Sequence, residues 1–233
     1  GTSFIITFPA NDEEKQKIRF VHATTPEMLE DVFYIQRKIL IGEKGYKEET
    51  IHRPIDELAY HIIAYKGLQP VGTVSCVAPD VVAKFPIEEN YPLAGVKENK
   101  RCLEIDRLAV VKEARGTVIP LGLMTLAYLY GKSLEVERLF LDVFSDEKKH
   151  IQMYRKLGFS EIGGYKKPLP VTVMMLDQKS DYEKTETRMN HFVKPLMKRL
   201  MLYLDYEEEE KAAILRIMNN MISEPDYSRP PTA

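Results

Sequence analysis

The sequence has no tryptophan and only two cysteines among its 233 residues. Cys76 and Cys102 both lie inside apolar, strand-like runs. Two thiols are too few for a disulfide scaffold, and they are expected as buried free thiols of a cytoplasmic protein. No grouping of Cys, His, Asp and Glu has zinc spacing, so no structural metal is expected. No run of about 18 apolar residues occurs, so no transmembrane segment is expected. An excess of one charge is missing too. The 33 basic and 35 acidic residues leave a net charge of -2, which offers no field for nucleic acid or anionic lipid. Neither a Gly-x-Ser-x-Gly elbow nor a Walker loop is present, which argues against serine hydrolases and P-loop NTPases. What is present is ordinary for a globular protein: 44% hydrophobic and 29% charged residues, enough for a sizeable core.

The chain is organised around Arg101 to Phe159. An apolar strand from Cys102 to Val111 leads through a basic loop, Lys112-Glu113-Ala114-Arg115-Gly116-Thr117, into a helix predicted from about Pro120 to Lys132. A second strand, Arg138 to Phe144, precedes a helix ending in Tyr154-Arg155-Lys156-Leu157-Gly158-Phe159. A strand that feeds a helix through a short loop leaves backbone N–H groups free at the helix start, and such groups bind phosphate. The chemistry of this β-α-β-α unit is expected where its strands end.

Before this unit, Ser3 to Phe8 reads as a short strand and Asn11 to Lys17 as a charged loop. Ile18 to His22 alternates like a strand. Thr24-Thr25-Pro26-Glu27 opens a helix with apolar residues on one stripe as far as Leu40, and Gly42 ends it. Glu43 to Asp56 is polar and aperiodic, as functional lids and disordered segments are. Leu58 to Tyr65 and Val71 to Val77 form a hairpin, and Pro79 to Gly95, with three prolines, reads as a surface excursion. After the central unit, Ser160 to Gly164 and Leu169 to Leu176 close the sheet. Residues 1–178 are thus expected as one domain. Residues 179–233 are a helical extension, whose Met and Leu stripe packs on that domain or on a second copy of the chain. Pro195 kinks its first helix, and Glu207 to Glu210 forms the acidic first turn of its second.

The order strand, helix, hairpin, strand, phosphate loop, helix, strand, helix, strands resembles the GNAT acyltransferase superfamily over roughly residues 17 to 177. Tyr154-Arg155-Lys156-Leu157-Gly158-Phe159 is similar to its Tyr-x-x-x-Gly-Phe, Arg115 sits where its loop arginine does, and Val71-Gly72-Thr73 opens the second hairpin strand. Within the superfamily, Glu104-Ile105-Asp106-Arg107-Leu108-Ala109-Val110 resembles the Glu-x-x-Arg strand of the N-acyl amino acid synthases and acyl-homoserine lactone synthases. Arg37 and Arg53-Pro54-Ile55-Asp56 match further positions of these enzymes. The resemblance implies an α/β (α+β) fold with a mixed, mostly antiparallel twisted sheet between helices.

The resemblance also implies a transferase that moves an acyl group from a thioester of coenzyme A or acyl carrier protein to the amine of a small acceptor such as an amino acid. An acetyl-CoA-dependent acetyltransferase and a catalytically silent acyl-donor-binding module are the alternatives. Ser75 replaces an arginine of the lactone synthases, and their early tryptophan is absent, so lactone synthesis is not expected.

Acyl transfer needs the donor's phosphate held, the carbonyl polarised, the amine deprotonated and the thiolate protonated. The resemblance gives Glu104 and Tyr154 the catalytic roles and places the donor along Leu108, Val110, Arg115, Gly116, Thr117, Val118 and Leu121. Arg37, Asp56, Asp106 and Arg107 are expected around the acceptor. Two-residue alternation sets Glu104 and Asp106 on one face of their strand and Arg107 on the other. In the loop, Val118 and Pro120 occupy positions where the superfamily carries glycine or alanine. The cradle therefore has one donor fewer, which favours the single phosphodiester of a carrier protein over a pyrophosphate.

Overall fold

The computed structural model describes residues 18–178, 196–198 and 200–223, with side chains as far as residue 220. The two N-terminal expectations, and those for residues 181–195, lie outside this range. Seven strands form one sheet: β1 (Ile18–His22), β2 (Tyr60–Lys66), β3 (Gln69–Val77), β4 (Cys102–Val110), β5 (Arg138–Phe144), β6 (Ser160–Lys166) and β7 (Pro170–Asp177). Their spatial order is β1-β2-β3-β4-β5-β7-β6. Every neighbouring pair is antiparallel except β4 and β5. This is the GNAT fold.

Helix α1 (Pro26–Gln36) starts at Thr25, whose hydroxyl accepts from the Met28 amide at 3.3 Å, with Pro26 in the first turn. The α-helix stops at Gln36 and continues as a π-turn, Arg37–Ile41, so the expected helix to Leu40 is two different coils. Helix α2 (Val118–Ser133) begins earlier than Pro120. Thr117 caps it by accepting from the Ile119 amide at 3.2 Å, and Pro120 then sits in the first turn, where no N–H is needed.

Strand alternation sends Phe20, Ile62 and Ala64 into the main core with α2, while Val21, Ile63 and Tyr65 pack with Val32 of α1. The helices therefore cover opposite faces. Contact is close at Gly122 of α2, where an added Cβ would lie 2.5 Å from the Phe20 ring.

The stretch read as a surface excursion is not one. Phe85, Ile87 and Leu93 are buried with Val77, Cys102, Phe140 and Val173 in a second core. Its apolar residues are spaced by 3₁₀ and helical turns and prolines rather than by a regular period, so no periodicity marked them. Helix α3 (Lys148–Lys156) carries Tyr154. At the C-terminal end, Leu200, Tyr203 and Leu204 join the main core, and Leu204 bridges to Phe20. Helix α4 (Glu208–Ser223) packs on α2. Glu210, in its acidic first turn, accepts from Tyr60 and lies 3.1 Å from His22 Nδ1. Both cysteines are free and buried. Burial pushes the Cys102 thiol up to about 11 and Cys76 higher still, so neither is poised as a nucleophile.

Candidate active site

Strands β4 and β5 hold together at three pairs only, Cys102 with Arg138, Leu103 with Leu139 and Glu104 with Phe140. Beyond Glu104 the two strands run on without pairing to each other, β4 to Val110 and β5 to Phe144. A wedge opens between them. Its origin lies on the other side of β4, where register with β3 slips between the pairs Asp106–Ser75 and Ala109–Thr73. Arg107 and Leu108 there face Val74 alone, and Arg107 takes φ 52°. Such a bulge bends its strand.

The bulge also overturns the expected alternation. Arg107 is turned into the polar cluster that holds Asp106, with its Nε 3.8 Å from Asp106 Oδ2. Its Nη1 donates to Gln36 Oε1 (2.8 Å), the Ile51 carbonyl (2.6 Å) and Asp56 Oδ2 (3.1 Å), and its Nη2 donates to the Thr50 carbonyl. Arg107 thus ties α1 and the 50–56 loop to β4. Arg53 completes the cluster, donating to Asp56 Oδ1 at 2.8 Å and to Asp106 Oδ2. Burial alone would raise the Asp56 carboxyl, but the two arginines outweigh it and hold the group below the usual range.

His61 is a satisfied sheet residue. Its Nε2 lies 2.7 Å from the Asp56 carbonyl, which can only accept, so Nε2 carries the proton. Nδ1 then accepts from Ser75 Oγ at 2.8 Å, and burial keeps the ring neutral. Gln36 Nε2 donates to the same Ser75 oxygen at 3.4 Å. Ser75 therefore links His61 to Gln36.

Glu104 sits at the apex of the wedge and is 2% exposed. It accepts from the Ile87 amide at 3.2 Å. Burial, then the Asp106 charge, hold its carboxyl well above the usual range. Across the wedge Asp142 of β5 is half-buried and accepts from the Tyr165 hydroxyl. Burial pushes Asp142 up to about 6. Tyr46 packs edge-on against Phe144 (centroids 6.0 Å apart), and burial and the Asp142 charge raise its hydroxyl.

Tyr154 is 5% exposed, lies against Phe159, and makes no hydrogen bond among the described residues. Burial, followed by the charges of Asp142 and Glu147, raises its hydroxyl and keeps it a proton donor. His150 pairs with Glu147 at 3.0 Å. Arg37 lies away from the cluster, paired with Glu48 at 2.7 Å.

In the loop before α2, Gly116 takes φ 80°, with open space where a Cβ would be. The amides of Gly116 and Val118 have no intrahelical acceptor, and Pro120 has no N–H. Arg115 donates to the Val110 carbonyl (2.8 Å) and to Glu43 Oε2 (2.7 Å). Leu108 packs at the core's edge, while Val110, Val118 and Leu121 are buried.

Sequence reasoning missed Gln36, Asp142 and Tyr165. One signal was available: Asp142 is the only charge inside the apolar run Leu139-Phe140-Leu141-Asp142-Val143-Phe144.

Several solved structures share this architecture. FeeM, an N-acyl amino acid synthase from uncultured soil microbes, superposes with TM-score 0.59 at 19% identity, over 72% of this chain and 95% of that one. The CoA-dependent acyl-homoserine lactone synthase BjaI gives TM-score 0.53 at 16% identity, over 88% and 99%. Escherichia coli ElaA gives TM-score 0.53 at 14% identity, over 69% and 98%. These likenesses speak to the fold. The family model of the N-acyl amino acid synthase FeeM matches residues 30–176, more than half of the chain, and the protein belongs to that family of acyltransferases.

Proposed function

We propose that the protein moves an acyl group from a thioester to the amine of a small acceptor such as an amino acid. The observation that carries this reading is the wedge between β4 and β5, which opens onto Glu104 at its apex and Asp106 and Asp142 along its sides. A pantetheine arm has the width of a strand and can take the vacant place. Its thioester then lies near Glu104 and Tyr154. Asp106, Arg53 and Tyr46 flank the acceptor. The test is mass spectrometry of the purified protein with decanoyl thioesters of acyl carrier protein and of coenzyme A, and with acetyl-CoA, each with an amino acid mixture. New N-decanoyl amino acids support the reading. Turnover of acetyl-CoA alone makes the protein an ordinary acetyltransferase.

The phosphate loop bears on the donor. Two free amides and no third at Pro120 suit a single phosphodiester, so the carrier-borne thioester is expected to be the better substrate. Arg115 is engaged by Glu43 through half-exposed side chains, a pair worth at most about 1 kcal/mol. A donor phosphate reaching Arg115 must displace this carboxylate. Glu43→Gln is therefore expected to lower the donor KM by about 2- to 5-fold with kcat unchanged. A donor KM that stays fixed would place the phosphate elsewhere.

With its proton affinity raised by burial, Glu104 can donate a hydrogen bond to the thioester oxygen as negative charge grows there. Glutamine keeps the size and a donor, so Glu104→Gln is expected to retain activity within about tenfold, whereas Glu104→Ala loses about 10²-fold. Equal loss in both variants, read from initial rates, would mean that the ionised carboxylate is required.

A further inference from the structure

The acceptor amine arrives as an ammonium and must lose a proton before it attacks, and the wedge holds three carboxyls that differ in their ability to take it. Resting on the acyl-transfer reading above, we infer that Asp142 on β5 is the group that receives the acceptor's proton, with Tyr165 as its positioning residue.

Glu104 is nearly closed to solvent, at 2% exposure. Asp106 is bound by Arg53, so its lone pairs face a cation that competes with an incoming ammonium. Asp142 has neither restraint. It lies two residues beyond the last β4–β5 pair, on the face of Phe140 and Glu104, where β5 has no neighbour on the β4 side. It is half-buried, so an acceptor reaches it through the wedge.

Among the described residues its hydrogen bond comes from Tyr165, reaching over β7 from β6. That bond favours the charged form and leaves the second carboxylate oxygen for the acceptor. The ionisable groups facing Asp142 are Glu104 and Asp106 from β4, Arg53 and Tyr46 from the loop after α1, Tyr165 from β6 and Tyr154 from α3. The Tyr154 hydroxyl, without a hydrogen-bond partner among the described residues, lies within reach of the Asp142 charge.

The step balances. The ammonium gives one proton to Asp142, and the free amine attacks the thioester carbon. As the C–N bond forms, the carbonyl oxygen takes the negative charge. Collapse breaks the C–S bond, Tyr154 protonates the departing thiolate, and the second nitrogen proton restores Tyr154. Asp142 returns its proton to solvent. Because burial brings Asp142 to about 6, the base form prevails above that pH, and kcat/KM rises with pH through that region.

The test compares wild type, Asp142→Asn and Tyr165→Phe with decanoyl thioesters, using either the amino acid mixture or hydroxylamine, whose nitrogen is already unprotonated at neutral pH. Asp142→Asn is expected to lose about 10²- to 10³-fold with amino acids, to lack the acidic limb of the pH profile, and to keep hydroxylamine transfer within about fivefold. Tyr165→Phe, which removes a hydrogen bond to the charged form, is expected to move that limb to higher pH while the plateau rate holds. Equal loss with both nucleophiles, or an acidic limb unchanged in both variants, would overturn the assignment of Asp142 alone. A wild-type protein that transfers no acyl group to any nucleophile would instead sink the acyl-transfer reading, and this proposal with it.

Discussion

Tyr154→Phe is expected to slow acyl transfer by about 10²-fold while leaving the protein folded. The two halves of that expectation have separate causes. The hydroxyl makes no hydrogen bond among the described residues, so its removal strands no buried partner, and the ring keeps its contact with Phe159. The melting temperature should therefore hold within about 1 kcal/mol of stability.

The rate falls because a thiolate leaving into a dry wedge needs a proton, and Tyr154 is held in its protonated form by burial and by nearby carboxylates. The discriminating measurement varies the leaving group. With a thiophenyl ester, whose thiolate departs without help, the deficit of Tyr154→Phe should shrink to a few fold. A deficit independent of the leaving group would remove Tyr154 from the proton-transfer role.

Arg107→Met is expected to act on stability instead. Arg107 is the single group that joins Gln36 of α1, the Thr50 and Ile51 carbonyls and Asp56. Its side chain is 8% exposed and that of Asp56 is fully buried. Removing one partner of a buried ion pair leaves the other charged and without its full set of donors, at a cost of roughly 3–5 kcal/mol. For a chain of this size that lowers the melting temperature by roughly 6–20 °C.

Lysine should not rescue it, since one ammonium cannot reach a carboxylate, an amide oxygen and two carbonyls in the fork geometry of a guanidinium. Asp56→Asn combined with Arg107→Met should cost less than the sum of the two single changes, because both remove the same interaction. Additive losses, or a drop below about 1 kcal/mol, would show that the cluster is not the clamp its geometry describes.

Local signals carried much of the fold. The Thr25-Pro26 helix start, the alternating run of β1, the strand runs of β2 to β5 and the Tyr154 to Phe159 motif all lie where their residues place them. The helix expected from about Pro120 starts two residues earlier, at Val118, because Thr117 caps it and Pro120 fits its first turn. The segment carrying Phe85, Ile87 and Leu93 was not, because irregular turns bury side chains without a repeating interval.

By itself the sequence determined the element order, the free cysteines and a strand bearing Glu104, Asp106 and Arg107. Tertiary structure alone decided what those side chains meet. A one-residue slip between β3 and β4 reverses the side on which Arg107 falls, and no periodicity within β4 encodes a slip set by its neighbour. Strand divergence likewise decided that burial lifts the proton affinity of Glu104 well above the usual range while that of Asp142, two strands from Tyr165, rises only to about 6. Proton affinity depends on burial and on charges brought near from distant parts of the chain, and those distances exist only once the chain has folded.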